Sequence, residues 1–334
     1  MRNISDCIIR YIGMLALTVL ASCESIYDSL PPCECRVHFV YDYNMKFADA
    51  FQHEVTKAAL FICDEAGKFL QRRDIEGAEL KANSIALNLE PGTYRLLTWA
   101  GLDDSSYEWP ELTPGVSTIE EIRVKTLRNT DNTQPNELEP LWHALDTLTV
   151  TATRYEDKEI SLAKNTNKVR VILQDDTYGN SMNAEDFTFQ IKADNGYMDY
   201  DNSLLEDDTI TYLPYYRESV DVGTEGDMID GKPAGQYAAV AEMNTMRLME
   251  GRNYRLIIRH KDFENDVLNV NLNSYLLLTK MEGHKISAQE YLDRQDEYSI
   301  IFFLRKTDNP DKPYVWYKVQ VKDWVQRING NEEI

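Results

Sequence analysis

Glu90-Pro91-Gly92-Thr93-Tyr94-Arg95-Leu96-Leu97-Thr98-Trp99-Ala100 is the stretch whose reading decides the fold. Its first three residues have turn chemistry, and Thr93 to Ala100 then mixes β-branched and aromatic side chains with polar ones over a strand-sized run. The same patterning, six to nine residues at a time, returns at Arg36 to Tyr43, Val55 to Cys63, Ser84 to Leu89, Leu145 to Thr151, Lys168 to Leu173 and Asp186 to Lys192. It continues at Tyr254 to His260, Val267 to Leu272, Ser299 to Leu304 and Tyr314 to Val321, with further turn signals at Glu65-Ala66-Gly67 and Asp308-Asn309-Pro310. The best helix is Ser287 to Arg294, where Ser287 caps and Glu290 follows three residues on. The chain is predicted mainly β. Gly92-Thr93-Tyr94-Arg95-Leu96-Leu97 is echoed 160 residues later as Arg252-Asn253-Tyr254-Arg255-Leu256-Ile257, also entered from a glycine turn, which fits two related domains.

The amino terminus carries a separate signal. Arg2 and Arg10 supply positive charge, Tyr11 to Leu20 ten mostly apolar residues, and Leu20-Ala21-Ser22-Cys23 the pattern of a bacterial lipobox. At ~1.5 Å per residue that segment reaches only half of a ~30 Å hydrocarbon core, so it reads as a cleaved signal peptide and not a span. Only a thiol accepts diacylglycerol as a thioether, and the amino group freed by cleavage then takes a further acyl chain such as palmitate. Cys23 is therefore the expected lipid attachment site and first mature residue. Glu24 and Asp28 fit export beyond the inner membrane, and Pro31-Pro32 stiffens the tether that follows.

The whole chain has a net charge of −21, and without residues 1–22 it has 33 basic against 55 acidic residues. Such a surface repels phosphate, which excludes nucleic acid as a partner and leaves membrane attachment to the lipid. The 312 mature residues suit two domains. Expected boundaries are 1–22 for the signal peptide, 23–35 for a lipidated tether, 36–163 for the first domain and 164–334 for the second, the chain passing between them near Asp157 to Asn167. Asn129 to Asn136 reads as a surface loop, and Asp221 to Gln236, with four glycines and a proline, as a mobile one.

After Cys23, the cysteines Cys33, Cys35 and Cys63 remain. Cys35 lies in phase with Val37, Phe39 and Tyr41 and points into a core, where it could meet Cys63; two buried thiols are the alternative. Neither this spacing nor the five scattered histidines, His38, His53, His143, His260 and His284, makes a metal site. Gly226 to Lys232 has phosphate-loop spacing, but Pro233 stands where a magnesium-binding hydroxyl belongs. Asp199, Asp201, Glu206, Asp207 and Asp208 lack calcium-loop spacing and read as a solvated acidic loop. Tyr212, Tyr215 and Tyr216 are either core residues or a sugar-stacking group. There is no nucleophile elbow and no Cys/His nucleophile signature, and nothing singles out a pair of acids for glycoside cleavage, so no enzyme and no cofactor is expected.

From Tyr41-Asp42-Tyr43-Asn44-Met45 onward the chain resembles the FimB-type fimbrial anchor family of type V fimbriae, found in Bacteroidales. The likeness extends through the Val55 to Asp64 strand with Gly67, Pro91-Gly92-Thr93-Tyr94, Trp99-Ala100-Gly101-Leu102, Leu141-Trp142-His143, Lys168 to Val171, and Val319 to Trp324. The resemblance implies two tandem transthyretin-like antiparallel β-sandwich domains with Greek-key character on a lipidated amino terminus. It further implies a noncatalytic subunit that holds the base of a fimbrium in the outer membrane, surface exposed, limits fimbrial length and meets a shaft subunit by β-strand exchange. Only Cys23 carries over as a chemically defined site. Asp42, Tyr43, Asn44, Met45, Gly92, Tyr94, Trp99, Gly101, Trp142 and Trp324 are read as structural motif residues, the glycines as turns and the aromatics as packing.

Strand exchange needs an unpaired edge over an apolar trough. Val315, Tyr317, Val319 and Val321 are expected on one apolar face of the last strong strand, which either fills a partner's groove or completes its own domain. Arg72-Arg73 resembles a processing pair but sits in strand sequence, so an exposed β-edge or hairpin is expected there. The alternative function is a surface lipoprotein binding glycan or host protein as a fimbrial accessory or tip adhesin; an extracytoplasmic hydrolase is a third reading.

Overall fold

The computed structural model of this chain describes residues 34–151, 156–175, 181–222, 228–229, 232–233, 237–280, 285–310, 312–321 and 324–327. The signal segment, Cys23, the tether up to residue 33, His284 and most of the Asp221 to Gln236 loop lie outside the described residues. Of that loop, the backbone pairs β17 (Met228–Ile229) with β18 (Lys232–Pro233) as a short hairpin.

The strands of the first sandwich are β1 (Glu34–Val40), β2 (Ala58–Asp64), β3 (Phe69–Ile75), β4 (Ser84–Asn88), β5 (Gly92–Ala100), β9 (Trp142–Val150), β10 (Glu156–Ser161) and β11 (Ala163–Lys164). They form a three-stranded sheet ordered β10-β1-β4 and a five-stranded sheet ordered β11-β9-β5-β2-β3. Cys35, Val37, Phe39, Ile85, Leu87 and Ile160 from the former meet Leu60, Ile62, Leu96 and Leu148 from the latter in one buried core.

The second sandwich pairs a six-stranded sheet, β16 (Tyr216–Asp221), β19 (Tyr237–Met246), β12 (Thr166–Gln174), β22 (Glu297–Lys306), β23 (Tyr314–Val321) and β24 (Trp324–Arg327), with a five-stranded one. The latter runs β21 (Asp266–Asn271), β20 (Arg255–His260), β13 (Phe187–Ala193), β15 (Ile210–Tyr212) and β8 (Thr133–Gln134). Its core extends past the sandwich to Ala59, Phe61, Cys63, Leu97 and Trp99 on the outer face of the first sandwich's five-stranded sheet. That is why Ala58 to Cys63 is an unbroken apolar run: β2 is buried on both faces.

The two sandwiches share one topology. Counting β1, β2, β3, β4, β5, β9 and β10 against β12, β13, β15, β19, β20, β21 and β22, the first strand in each pairs parallel with the seventh and antiparallel with the fourth. The other sheet in each runs sixth, fifth, second, third. The echoed tyrosines introduce the fifth strand in both halves and bond back onto their own turns. Tyr94 Oη donates to Glu90 O at 2.8 Å, and Tyr254 Oη accepts from Met249 N at 3.3 Å. This is the tyrosine-corner device of β-sandwiches.

Several expectations are corrected. Asn129 to Asn136 is not a plain surface loop, because Thr133 and Gln134 pair in parallel with Thr211 and Tyr212 and put an edge strand onto the second sandwich. Asp157 to Ser161 is a strand, with Asp157 and Glu159 outward and Ile160 in the core. The predicted face Val315, Tyr317, Val319, Val321 is broken by a β-bulge: Phe303 pairs with Lys318 but Leu304 with Trp316, so Tyr317 is the extra residue and the alternation inverts. Val319 and Val321 are buried, Val315 is 42% exposed, and Tyr314 and Trp316 pack on the core instead. Cys35 and Cys63 are not bonded to each other, since they lie on opposite sides of β2's sheet in separate cores. Burial raises the Cys63 thiol to about 12.

Candidate functional site

The motif Asp42-Tyr43-Asn44-Met45 leaves β1 in a turn organised by one amide. Asn44 Nδ2 donates to the carbonyls of Tyr41 and Ala48, both at 2.8 Å, and its Oδ1 accepts from Lys46 N at 2.9 Å. This side chain stands in for backbone partners that the turn removes. The turn ends at Phe47, which takes φ +51° and is 54% exposed. Onto it comes Arg294, the last residue of the helix Ala288–Arg294, which Ser287 caps by accepting from Glu290 N at 3.0 Å. The guanidinium lies 4.0 Å from the Tyr43 ring and 4.5 Å from the Phe47 ring, donates to Asp42 O and Asn44 O at 3.4 Å, and is held by Glu290 at 2.8 Å. The motif is thus half of a clasp whose other half comes from the second sandwich.

Trp142, Trp99 and Gly101 continue this junction. Trp142 meets Tyr41 edge-on at 5.9 Å, with Lys164 Nζ 5.3 Å from its ring. Burial works against the charge of Lys164, but Asp296 at 2.6 Å and Glu54 at 2.9 Å outweigh it and raise its pKa. Trp99 packs edge-on against His143 at 4.6 Å, and a His143 ring nitrogen bonds Tyr200 O at 2.8 Å. Burial lowers His143 to about 4, so it is neutral at pH 7. Gly101 takes φ +82°, and a Cβ there would lie 1.9 Å from Pro140 O. Met45 packs at the rim of the larger core. Gly92 opens β5, and the backbone of Trp324 opens β24.

Other sequence candidates are accounted for by structure. The acidic loop is not simply solvated: Asp207 pairs with Arg128 and lies 3.6 Å from Lys125, and Asp199 binds Arg123 at 3.1 Å. These cations come from the segment between β5 and β9, so the acids tie that connection to the second sandwich. Tyr212 is buried, with its hydroxyl 2.9 Å from Asn195 Oδ1; Tyr215 binds Glu242 at 3.0 Å, and only Tyr216 is exposed, so the three form no sugar platform. His38 pairs across strands with Asp157 at 2.9 Å, and His260 is buried between Phe187 and Tyr314. No three potential ligands gather as a metal site among the described residues. Sequence reading missed Arg294, Lys164 and Arg128, whose partners lie far away in the chain.

The sheet edges differ in their protection. The start of β3 is capped, with Phe69 N donating to Ser117 O at 2.9 Å and Gly115 N to Phe69 O at 2.8 Å; beyond, Arg72 pairs with Asp74 and Arg73 with Glu79. β23 is flanked by β24. β4 is an outer strand of the three-stranded sheet. Phe39 N donates to Asn83 O at 2.8 Å, so by alternation Val37/Ile85 and Cys35/Leu87 are the bonded pairs of this ladder. The backbone groups of Ser84, Ala86 and Asn88 therefore point outward, beside the buried side chains of Ile85 and Leu87.

Tandem sandwiches that repeat one seven-strand topology and are joined by the Arg294 clasp define a two-sandwich β-protein. The chain belongs to the family of fimbrillin-A associated anchor proteins Mfa1 and Mfa2, whose model matches residues 30–330. It is similar to a Bacteroides thetaiotaomicron protein provisionally described as polysaccharide-binding, with 36% identity, TM-score 0.76, and coverage of 89% of this chain and 99% of that one. A second protein of that organism, provisionally described as an adhesin, shares 30% identity at TM-score 0.76, covering 90% of this chain and 100% of that one. The fimbrial anchor protein Mfa2 of Porphyromonas gingivalis has the same fold, with 18% identity, TM-score 0.69 and coverage of 89% and 99%. No match was found among curated proteins. The chain is thus a fimbria-associated protein of a structural, adhesin-like family, and no helix among the described residues is long and apolar enough to cross a membrane.

Proposed function

We propose that this protein is the noncatalytic, lipid-anchored base subunit of a fimbrium, held in the outer membrane through Cys23 and limiting fimbrial length. The observation that carries this reading is the anchor-family match over residues 30–330 in a chain that places a lipobox just upstream. The residues between Cys23 and Glu34 would span at most about 40 Å when extended, which keeps the first sandwich close to the bilayer. The sandwiches serve as two domains meeting around residue 165, and their clasp passes load from shaft to lipid as one body. The shaft subunit joins by strand addition at the outward edge of β4, since β23 already completes its own sheet.

Metabolic labelling with an alkyne analogue of palmitate tests the anchor. The wild-type protein is expected to be labelled and to sediment with outer membrane, and Cys23→Ala to be unlabelled and released. Equal labelling or equal sedimentation of the two would contradict the reading.

A further inference from the structure

Three short strands between the sandwiches carry a cleft that anchoring does not use. β14 (Tyr197–Met198), β7 (Val124–Thr126) and β6 (Tyr107–Glu108) pair Tyr197 with Lys125 and Lys125 with Glu108, so these side chains form one outward row. Met198, Val124 and Tyr107 point into the core on the other face. Arg123, two residues before Lys125, shares the outward face. Trp109 follows Glu108, half-buried, with part of its indole against the large core. These residues and Glu121 line an open cleft of about 440 Å³. Trp109 also lines a second cleft of about 340 Å³ beside Leu102, Asp103 and Arg72, so one indole stands between two adjoining clefts.

The lining is mixed and held in place. Arg123 is fixed by Asp199 at 3.1 Å, Lys125 lies 3.6 Å from Asp207 and 5.5 Å from the Tyr197 ring centre, and Glu121 accepts from Thr118 N at 2.8 Å. Two carboxylates balance two cations in the cleft, so neither a polyanion nor a polycation is selected, and the chain's charge of −21 further disfavours an anionic polymer. β6 is an edge of two residues, too short to receive an added strand, so a ligand must be held by side chains. Aromatic surface from Trp109 and Tyr197 beside paired donors and acceptors suits a neutral sugar chain, whose C–H faces would stack on the rings while its hydroxyls would reach Glu108, Glu121, Arg123 and Lys125.

We infer that the bridging sheet binds a neutral oligosaccharide, with Trp109 dividing two successive sugar subsites. The inference is independent of anchoring. It is tested by calorimetric titration of the purified protein with maltohexaose, cellohexaose, xylohexaose, mannohexaose, laminarihexaose and chitohexaose. Saturable binding of at least one is expected, weakened at least about tenfold by Trp109→Ala and by Tyr197→Ala and unchanged by Tyr216→Ala on the six-stranded sheet. If Trp109→Ala loses its fold, Tyr197→Ala and Lys125→Ala, both on the strand surface, give the same readout. Absence of binding to all six sugars, or equal binding by folded variants, would overturn the site. Loss of shaft-subunit binding in these variants with no sugar binding would instead assign the cleft to the fimbrial interface.

Discussion

At the residue scale, Asn44 and Gly101 hold backbone in costly places, while Trp99, Trp142 and Met45 pack. Gly101 is the sharpest case, because it combines a left-handed φ with a carbonyl 1.9 Å from where a Cβ would stand. Gly101→Ala is expected to cost at least about 3 kcal/mol, read as a fall in thermal or urea midpoint. His143 adds a pH dependence whose direction follows from its burial. Its pKa drops from 6.5 unfolded to about 4 folded, so its contribution is fully present above pH 6.5 and is lost as pH falls toward 4. The loss attributable to this group is up to ~3 kcal/mol. Comparing denaturant midpoints of wild type and His143→Gln between pH 7 and 4 isolates it: the wild type should lose more, and parallel curves would show that His143 does not titrate as described.

At the element scale, the outward edge of β4 is the proposed seat of the shaft subunit. Ala86 is the residue to change, since its N–H points away from β1. A proline there removes one outward donor while sparing the internal ladder. Ala86→Pro is expected to change stability by no more than ~1 kcal/mol yet to weaken capture of the shaft subunit in a pull-down; unchanged capture would exclude this edge. Strands with one wet face, such as Lys168 to Leu173, were legible because alternation marks them. Tyr237–Met246 escaped because Ala238 to Ala241 shows no alternation and Glu242, Asn244 and Thr245, polar in sequence, are buried, and Glu156–Ser161 because its outward acids mask a strand. The bulge at Tyr317 was illegible for a different reason: Val-Trp-Tyr suits either face, and only the register to Phe303 and Leu304 decides it.

At the scale of the whole molecule, the second core runs without a break onto the first sandwich. The Arg294 clasp joins the sandwiches beside this core, and the Arg128–Asp207 pair holds the β5–β9 connection to the second sandwich. None of these contacts could be read from the sequence, because each joins residues distant in the chain by tertiary packing alone. The place of the Asp42–Met45 loop in a clasp could not be read from the sequence, since Arg294 lies 250 residues beyond Asn44. The result is an acidic body of two sandwiches on one continuous core, which supports the proposed anchoring role. The most direct test of that role is an immunoblot of the shaft subunit in cells and in spent medium for wild type, Cys23→Ala and a deletion strain. The account predicts that fimbriae stay on wild-type cells and pass into the medium in both mutants. Retention on cells in either mutant would contradict it.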